Sequence, residues 1–548
     1  MLQSTDCTNE LTGILMRTES RLSDVASSTL CFVLLVHLPI AYIRFSLSSK
    51  FIPILDSSIN ALIELTSVTL LTFMLFYILR LSKCIYVWFM PLLFSIGMAS
   101  TYYILNFGKH FDIGVLQDIL SVEWDLTQDY FSYKLIIFVC IGVLIGISVS
   151  RLSLELSKTV TISLISLCVL VVSLDGIRNG FYTSRIASQA YMPFSVIYSV
   201  ELYLKKYGPF KRQVNKKIDI SQKYQFNFEQ SKQQEPLVIV MMIGESMRGD
   251  KFAINGKSQY DNAPNLLQIE NLYSFQDARS SATSTKISLP YMLTRANPPN
   301  FEQSTTEMGI ISVFKHLGFK TAWIGAQGLF NSIDSAYGSL ALEADEVIIE
   351  SDLRRNSSQK NVYDSYLLPH LDEFLRQNKG RNLFIVLHMI GSHWHFKARY
   401  PAEFAKFQPE CLAYSPRECT KQELENSYSN TLFFSDYTIS QVIKRLEARN
   451  SFLMFASDHG YSLLESELFG NAYEGPLYIK EQYNIAMFAY ASKIFLQNYG
   501  ENYNNLRTSQ IAVSHNHLFH SLLGCVNVIS SAIDSKLNLC NANTKHSR

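Results

Sequence analysis

Hydrophobic residues follow two different patterns along this chain. In the first third they form five long apolar segments, at residues 28–45, 60–79, 84–106, 134–150 and 157–175. Each segment approaches the roughly 20 residues that a membrane-spanning helix needs. One or two buried helices of a soluble protein could imitate such segments, but five in succession predict a transmembrane domain over residues 1–180.

Charged residues between these segments predict which helix ends face the inside of the cell. The basic residues at the ends predicted to be inside are Arg17, Arg21, Arg80, Lys83, Arg151 and Lys158. The loop at 107–133, predicted to be outside, carries Asp112, Asp118, Glu123, Asp125 and Asp129. Because Lys and Arg favour inner loops, we expect the N-terminus inside and everything after the fifth segment exported.

A shorter stretch joins the apolar third to the rest of the chain. Residues 182–207 are rich in aromatic side chains and end near Lys205 and Lys206, a pattern typical of helices that lie along a membrane surface. Residues 208–235 are polar and rich in Lys and Gln, as in a linker. We therefore expect membrane-surface helices and a linker over residues 181–235.

From residue 236 to residue 548, short apolar runs alternate with segments of helical periodicity. The runs predict strands at Leu237 to Ile243, Lys320 to Gly325, Leu383 to His388, Phe452 to Ala456 and Ile485 to Tyr490. The periodic segments predict helices at Val362 to Gln377, Lys421 to Glu447 and Thr508 to Leu523. This alternation predicts an α/β domain with a mostly parallel sheet between helices, whose functional residues follow the carboxyl ends of the strands.

Charge and cysteine content narrow the class of protein. The 548 residues carry a formal net charge of only +1, which gives no electrostatic argument for a nucleic-acid partner. Among the nine cysteines, Cys411 and Cys419 flank a polar loop of a length that a disulfide can close. Such a bond requires an oxidising compartment and agrees with export, whereas two free loop thiols would not. Cys525 and Cys540 form a second, weaker candidate pair.

Polar residues that suit a metal follow three of the predicted strands. Glu245 follows the first strand, His388 to His395 includes three histidines after the third, and Asp458 and His459 follow the fourth. Carboxylate and imidazole groups are zinc-type ligands, and a purely structural site would more typically use cysteines. The pattern therefore predicts a catalytic metal with an open position.

A cluster of hydroxyl residues supplies candidates for that open position. The cluster consists of Ser280, Ser281, Thr283, Ser284 and Thr285. A hydroxyl is a poor nucleophile at neutral pH, but coordination to a divalent metal stabilises its alkoxide form. Spacing alone does not choose among the five.

Four motifs in a fixed order carry a resemblance to a known family. They are Ile243-Gly-Glu-Ser-Met-Arg248, Ala282-Thr-Ser-Thr-Lys-Ile-Ser-Leu-Pro290, Leu387-His-Met-Ile-Gly-Ser-His393 and Ser457-Asp-His-Gly460. Together with the five apolar segments they resemble the lipid A phosphoethanolamine transferases, which include the transferable colistin-resistance enzymes and have a sulfatase or alkaline-phosphatase-like catalytic domain. The end Ser514-His-Asn-His-Leu-Phe-His520 is also similar to that family.

The resemblance implies a role for each matching residue. Thr285 corresponds to the nucleophile that takes phosphoethanolamine from phosphatidylethanolamine, and Glu245, Thr285, Asp458 and His459 correspond to the ligands of a zinc ion. His393 corresponds to a histidine near the transferred phosphate, as a proton donor or a contact to a second metal.

The resemblance also implies the setting of the reaction. Cys411 and Cys419 correspond to one of the family's disulfides. The acceptor would be lipid A or another lipopolysaccharide sugar. The protein would lie in a bacterial inner membrane, with its catalytic domain in the periplasm, and its activity would confer polymyxin resistance.

Several positions depart from the family pattern. Two cysteines usually bracket the nucleophile turn, and here Ser281 and Tyr291 replace them, so we expect the turn to be held by packing alone. Asn471 stands where a second histidine is expected. Asn331 stands where a lysine is expected, with Gln327 nearby as a candidate phosphate contact.

The donor-binding loop is a further departure. Its polar positions are only partly matched within residues 116–120, where Asp118 is the nearest. The candidate substrate contacts are therefore Gln327, Asn471 and Asp118. These changes leave two alternatives open, a phosphoglycerol transferase of the lipoteichoic-acid-synthase type and a catalytically inactive membrane scaffold. The intact metal set argues against the inactive alternative.

Overall fold

The structure is a computed structural model of the chain. It describes residues 22, 24–50, 52–108, 110–112, 115–116, 132–151, 157–207, 217–230, 235–328, 336–349, 362–465, 468–471, 478–509 and 511–542. The chain divides into two compact units. The N-terminal unit comprises Met1–Leu120, Trp124–Lys205 and Glu465–Leu468, and the C-terminal unit comprises Ser121–Glu123, Lys206–Leu464 and Phe469–Arg548.

Apolar helices form the N-terminal unit. Among the described residues, five helices are long and apolar enough to cross a membrane: α1 Asp24–Ser48, α2 Ile54–Arg80, α3 Lys83–Phe107, α4 Tyr133–Arg151 and α5 Lys158–Asn179. Two further helices follow, α6 Tyr182–Ala190 and α7 Phe194–Tyr207. The five predicted apolar helices are thus confirmed.

Small residues bring α3 and α4 into close contact. A Cβ added at Gly142 would lie 2.6 Å from the carbonyl oxygen of Phe94, and one added at Gly146 would lie 2.5 Å from the Cα of Pro91. The backbones of the two helices therefore touch where α4 has no side chain, as is common between membrane helices.

One buried carboxylate in this unit is fully paired. The guanidinium of Arg44 on α1 donates two hydrogen bonds of 2.8 Å to Glu64 on α2, and the hydroxyl of Tyr191 donates a third of 3.1 Å. Pairing of this kind offsets the cost of placing an ionised carboxylate among apolar helices.

The C-terminal unit is built around a sheet. Its strands are β1 Leu237–Gly244, β2 Leu272–Ser274, β3 Lys320–Gly325, β4 Glu346–Ile348, β5 Leu383–His388, β6 Asn450–Ser457, β7 Ser462–Leu463, β8 Phe469–Gly470 and β9 Met487–Ala491. Its helices are α8 Ile220–Lys223, α9 Thr285–Leu293, α10 Gln303–Thr306, α11 Ile310–His316, α12 Ala336–Ala341, α13 Leu367–Gln377, α14 Lys421–Leu446, α15 Lys480–Tyr483, α16 Lys493–Thr508 and α17 Leu518–Gly524.

The main sheet has seven strands in the order β2-β9-β6-β1-β5-β3-β4. Strands β6, β1, β5, β3 and β4 pair in parallel, and β9 pairs antiparallel with β6 on one side and with β2 on the other. Strand β1 is buried along its whole length, as a continuous apolar run in a two-sided sheet requires. The predicted α/β class with a mostly parallel sheet is therefore confirmed.

One predicted helix is wrong. The segment from Thr508 to Leu523 was expected to be continuous, but α16 ends at Thr508 and α17 begins at Leu518. A 3₁₀ turn at His515–His517 lies between them, and Ser514 caps it. A hydroxyl that bonds the local backbone favours a cap over a helix interior, which explains the break.

Helix α14 supports the loops that follow β1 and β5. It begins with a capping box in which Thr420 and Glu423 satisfy each other's backbone N–H groups. Further along α14, the hydroxyl of Tyr428 donates to the carbonyl of Ser246 at 2.6 Å and accepts from the N–H of Arg248 at 2.9 Å. The residues after β1 are thereby fixed to a long buried helix.

Candidate active site

Three neighbouring strands end at one edge of the sheet. The parallel register pairs Ile243 of β1 with His388 of β5 and Gly244 of β1 with Ser457 of β6. The residues that follow these strands therefore leave the sheet side by side. Glu245 and Asp458 come directly after the paired positions, so the register itself brings the two carboxylates together.

The side chains at this edge form a compact cluster. Glu245, Asp458 and His459 are buried, and each offers a ligand atom within 4.8 Å of the others. The hydroxyl oxygen of Thr285, the first residue of α9, lies 3.0 Å from Glu245 Oε2, 2.7 Å from Asp458 Oδ2 and 3.3 Å from His459 Nε2. Among the five candidate hydroxyls, Thr285 thus contacts all three groups.

Each of the three side chains is oriented by a second bond. The Nδ1–H of His459 donates to the carbonyl of Gly460 at 2.8 Å, so Nε2 points into the cluster. Asp458 accepts the backbone N–H of Ser246 at Oδ1, 3.0 Å away, and turns Oδ2 towards Thr285. Glu245 accepts the Ser246 hydroxyl at Oε1, 2.6 Å away.

Two buried carboxylates in contact create an excess of negative charge. Burial and the nearby charge of Glu245 hold the pKa of Asp458 well above its ordinary value. Burial alone would raise the pKa of Glu245 as well, but the neighbouring His459 and His393 lower it. The two carboxylates repel each other, and a divalent cation would relieve this repulsion.

The donor set fits a metal ion of the zinc type. It combines two carboxylates, one imidazole nitrogen and one hydroxyl oxygen, which are ligands that zinc accepts in catalytic sites. Within the described part of the chain, Glu245, Asp458 and His459 form a group of side chains spaced closely enough to hold one metal ion.

The loop after β5 closely contacts the backbone of Glu245. Gly391 has a positive φ of 47°, and a Cβ there would lie 2.6 Å from the Glu245 carbonyl oxygen. The N–H of Ser392 donates to the same oxygen at 2.9 Å. The absence of a side chain at Gly391 is therefore required for the loop to approach Glu245 this closely.

Asp364 anchors this loop through two hydrogen bonds, and no sequence pattern indicated this role. Its buried carboxylate accepts the N–H of Ile390 at 2.7 Å and the N–H of Gly391 at 3.0 Å. Burial raises the pKa of Asp364 to about 6, although the two N–H donors oppose the shift. Because Asp364 is distant in sequence from the loop, only the folded chain reveals the contact.

Hydrogen bonds fix the turn that precedes Thr285, so the expectation that this turn is held by packing alone is wrong. The N–H of Ser281 donates to Nδ1 of His515 at 3.2 Å, and its hydroxyl donates to Oδ1 of Asn516 at 3.0 Å. Tyr291 is buried and contacts the ring of Phe301 edge to face. His515 belongs to the motif Ser514 to His520, and the resemblance of this motif to the family was the sequence signal for it.

Two of the candidate substrate contacts, Gln327 and Asn471, lie against the cluster. Gln327 is buried and donates to Glu245 Oε2 at 3.2 Å and to the Met389 carbonyl at 2.7 Å. Asn471 places its amide nitrogen 2.8 Å from His459 Nε2. Asp118 and Asn331 lie outside the described residues.

The three histidines after β5 differ in their surroundings. His393 is partly exposed and its Nδ1 bonds the Trp394 carbonyl at 2.5 Å. His388 is buried against Trp323, and burial lowers its pKa to about 4. His395 lies 3.2 Å from the carbonyl of Ala413, in the loop that the first disulfide closes.

The structure contains two disulfides in the C-terminal unit. Cys411 is bonded to Cys419, and Cys525 is bonded to Cys540. The free cysteines among the described residues all lie in membrane-type helices: Cys31, Cys84, Cys140 and Cys168.

A sheet of this order, with a Glu, Asp and His cluster and a threonine hydroxyl at its carboxyl edge, defines a sulfatase-type domain. Residues 237–528, more than half of the 548-residue chain, match the family described as Sulfatase. The chain therefore belongs to the sulfatase family.

Two similar proteins indicate which kind of sulfatase-family member this chain resembles. The chain is 26% identical over 526 residues to the Kdo(2)-lipid A phosphoethanolamine 7''-transferase of Escherichia coli K12, covering 88% of this chain and 90% of that protein. It is 25% identical over 431 residues to the phosphatidylethanolamine transferase Mcr-1 of Escherichia coli, covering 73% and 77%. The predicted resemblance to lipid A phosphoethanolamine transferases is thus confirmed.

A solved structure extends the likeness to both units. The integral membrane protein lipooligosaccharide phosphoethanolamine transferase A (EptA) from Neisseria meningitidis superimposes with a TM-score of 0.78 at 20% identity. The match covers 94% of this chain and 97% of that one. This chain therefore has the fold of a multi-pass membrane protein with a soluble α/β domain.

Proposed function

We propose that this chain is a phosphoethanolamine transferase. It takes phosphoethanolamine from phosphatidylethanolamine and passes it to lipid A or another lipopolysaccharide sugar. The observation that carries the proposal is the contact of the Thr285 hydroxyl with Glu245, Asp458 and His459 at 2.7–3.3 Å. The names of the similar proteins supply the class of group transferred and the acceptor.

The donor set defines where a zinc ion would be held. Glu245, Asp458 and His459 would hold it with the oxygen of Thr285. When bound, the ion would lower the pKa of the threonine hydroxyl and polarise a phosphoryl oxygen. His393 lies at the same edge of the sheet, where it would face the substrate.

In the first half-reaction the Thr285 oxygen attacks the phosphorus of the donor lipid. A bond forms between this oxygen and phosphorus, and the bond from phosphorus to the diacylglycerol oxygen breaks. The threonine proton leaves to water before the attack, because a bound divalent ion would lower the pKa of the hydroxyl. A protonated His393 supplies the proton that the departing diacylglycerol oxygen needs.

The second half-reaction reverses these roles. An acceptor hydroxyl gives its proton to His393 and attacks the phosphorus on Thr285. The bond between phosphorus and the threonine oxygen breaks, and Thr285 regains its proton from water. The chain ends in its starting state, so a ping-pong scheme balances in atoms and protons.

The location follows from the same proposal. Five helices long enough to span a membrane suit a donor that is itself a membrane lipid. Two disulfides in the C-terminal unit suit an oxidising compartment, which supports an inner-membrane protein with its catalytic domain in the periplasm.

Labelled donor lipids test the proposal. We expect full-length protein to take label from phosphatidylethanolamine and to carry it on Thr285 in the intact mass spectrum. A Thr285→Ala variant should gain no mass, and the matched Thr283→Ala variant should still gain it. Label taken from phosphatidylglycerol alone would favour the phosphoglycerol alternative, and no label from either lipid would favour the inactive scaffold.

Mass spectrometry of envelope lipids then identifies the acceptor. We expect lipid A, or another lipopolysaccharide sugar, to gain the mass of one phosphoethanolamine unit only in cells that express the active protein. An unchanged lipopolysaccharide alongside another modified glycan would overturn the proposed acceptor while leaving the transfer reaction in place.

A further inference from the structure

Backbone hydrogen bonds join the segment before Thr285 to two other parts of the chain. On one side the N–H of Arg279 donates to the carbonyl of Val513 at 3.0 Å. On the other side the N–H of Ser280 donates to the carbonyl of Tyr483 at 2.9 Å. The backbone that leads to the nucleophile is thus fixed up to Ser280, and what holds the next residues determines where Thr285 lies.

His515 bridges this segment to the end of β6. Its Nδ1 accepts the N–H of Ser281 at 3.2 Å, so Nε2 must carry the ring proton. That Nε2–H donates to the carbonyl of Ser457 at 2.9 Å. The ring is completely buried, and a single neutral tautomer satisfies both of its nitrogen atoms.

The two ends of the bridge lie next to reacting groups. Ser281 precedes Thr285 by four residues, and Ser457 immediately precedes Asp458. Asn516 reinforces the first end, because its Oδ1 accepts the Ser281 hydroxyl at 3.0 Å. The imidazole therefore links the nucleophile turn to the strand that presents the carboxylate in contact with the nucleophile.

We infer that His515 is a positioning residue that, with Asn516, sets the distance between the Thr285 oxygen and Asp458. The inference rests on the proposed function in which Thr285 attacks phosphorus. A displacement of about 1 Å at a reacting group lowers rates by as much as about a hundredfold, so a rigid link at this point has a direct consequence for turnover.

The geometry of the imidazole suggests two complementary variants. In His515→Gln the side-chain amide nitrogen occupies the place of Nε2, which keeps the bond to Ser457 and loses the acceptor for Ser281. In His515→Asn the amide oxygen occupies the place of Nδ1, which keeps the bond to Ser281 and loses the donor to Ser457. Each variant breaks the bridge at one end.

His520 offers a matched control in the same unit. It is also a buried histidine, and its Nδ1 accepts a backbone N–H, that of Asp534 at 3.0 Å. His520→Gln removes an equivalent acceptor without touching the nucleophile turn or β6. Any effect of general loss of stability should therefore appear equally in His520→Gln and His515→Gln.

Two readouts on the full-length protein in detergent test the inference. One is the affinity of the metal-depleted protein for Zn²⁺, measured by competition with a chromophoric chelator. The other is the rate of phospho-enzyme formation as a function of phosphatidylethanolamine concentration. We expect His515→Gln and His515→Asn to lose about 10–100-fold in kcat and about tenfold in Zn²⁺ affinity, with KM changed less than about twofold.

The control defines the results that would overturn the inference. His520→Gln should keep the kcat and Zn²⁺ affinity of the wild type even where its thermal midpoint falls as far as that of His515→Gln. Wild-type kcat and Zn²⁺ affinity in both His515 variants would reject the positioning role, and so would equal losses in the His520 variant. Because Zn²⁺ affinity needs no substrate, it decides the inference even if the wild type transfers no phosphoethanolamine.

Milder substitutions cover the case in which the His515 variants do not fold. Asn516 is partly exposed, so Asn516→Ala should fold normally. We expect Ser281→Ala and Asn516→Ala each to lower kcat a few-fold. The double variant should lose no more than either single variant, because the two substitutions remove the same hydrogen bond. Additive losses, or none, would contradict the proposed role of this pair.

Discussion

At the scale of single residues, hydrogen bonds restrain both carboxylate oxygens and the carbonyl oxygen of Glu245. Its two carboxylate oxygens accept the Ser246 hydroxyl and the Gln327 amide, and its carbonyl accepts the N–H of Ser392. Such outer contacts fix the orientation of a ligand as much as the ligand's own position does. Gln327 remains a candidate phosphate contact, and its hydrogen bonds to Glu245 Oε2 and the Met389 carbonyl lead us to expect that it also orients Glu245.

Replacing Gln327 tests this orienting role. Gln327→Leu leaves the Met389 carbonyl without its side-chain donor and removes one of the two donors to Glu245 Oε2. We therefore expect Zn²⁺ affinity to fall about tenfold and the unfolding free energy to fall by about 1–3 kcal/mol. Asn255→Leu is the control, because it also removes a buried amide that donates to a carbonyl, that of Phe275. Equal Zn²⁺ affinity in the two variants would contradict the prediction.

Gly391 gives a second prediction at this scale. Gly391→Ala places a methyl group 2.6 Å from the Glu245 carbonyl oxygen, so the loop or Glu245 must move. We expect loss of phospho-enzyme formation by at least about tenfold. Gly380→Ala has a comparable positive φ of 84° with no atom near the added methyl. It should lose only about 1 kcal/mol of stability and keep full activity, as enzyme assays and thermal melts would show.

At the scale of elements, the sequence predicted what depends on local pattern. Strands β1, β5 and β6 are continuous apolar runs, and the residues after them were correctly expected at one edge because parallel strands share their direction. The sequence predicted that β9 is a strand, but it did not predict that β9 runs antiparallel to β6. Asp364 and the bridging contacts of His515 were missed, because they depend on the folded path of distant segments and leave no periodic signal.

The loop after β5 can be tested through Asp364. In Asp364→Asn one side-chain oxygen becomes an NH₂ group, so one of the N–H groups of Ile390 and Gly391 loses its acceptor. We expect a loss of about 1–3 kcal/mol in stability and about tenfold in Zn²⁺ affinity. Thermal melts and chelator competition measure the two effects separately.

Asp436 provides the matched control for that variant. It is equally buried and accepts the backbone N–H groups of Leu266 and Asn265, which do not belong to the loop after β5. Asp436→Asn should lose as much stability as Asp364→Asn and keep the Zn²⁺ affinity of the wild type. If both variants lost Zn²⁺ affinity alike, the loop after β5 would have no specific part in holding Glu245.

At the scale of the whole molecule, the two units use polar groups differently. In the N-terminal unit the buried Glu64 is neutralised by Arg44 among apolar helices. In the C-terminal unit several histidines are buried as neutral rings, and burial lowers the pKa of His520 to about 4. Neutral buried rings contribute to stability only while they remain unprotonated, which makes the soluble unit sensitive to acid.

His520 permits a quantitative test of this sensitivity. Its pKa is about 4 in the folded chain and about 6.5 in an unfolded one, so the unfolded state binds more protons between these values and stability falls as the pH falls through that window. At pH 5 one such histidine accounts for a loss of about 2 kcal/mol relative to pH 7, or about 3 °C in the midpoint for a domain of about 300 residues. His520→Asn keeps an acceptor for the N–H of Asp534 and cannot be protonated, so its midpoint should fall less than that of the wild type between pH 7 and pH 5. Thermal melts of the full-length protein at both pH values measure the difference, and parallel decreases in the two proteins would show that another group controls acid stability.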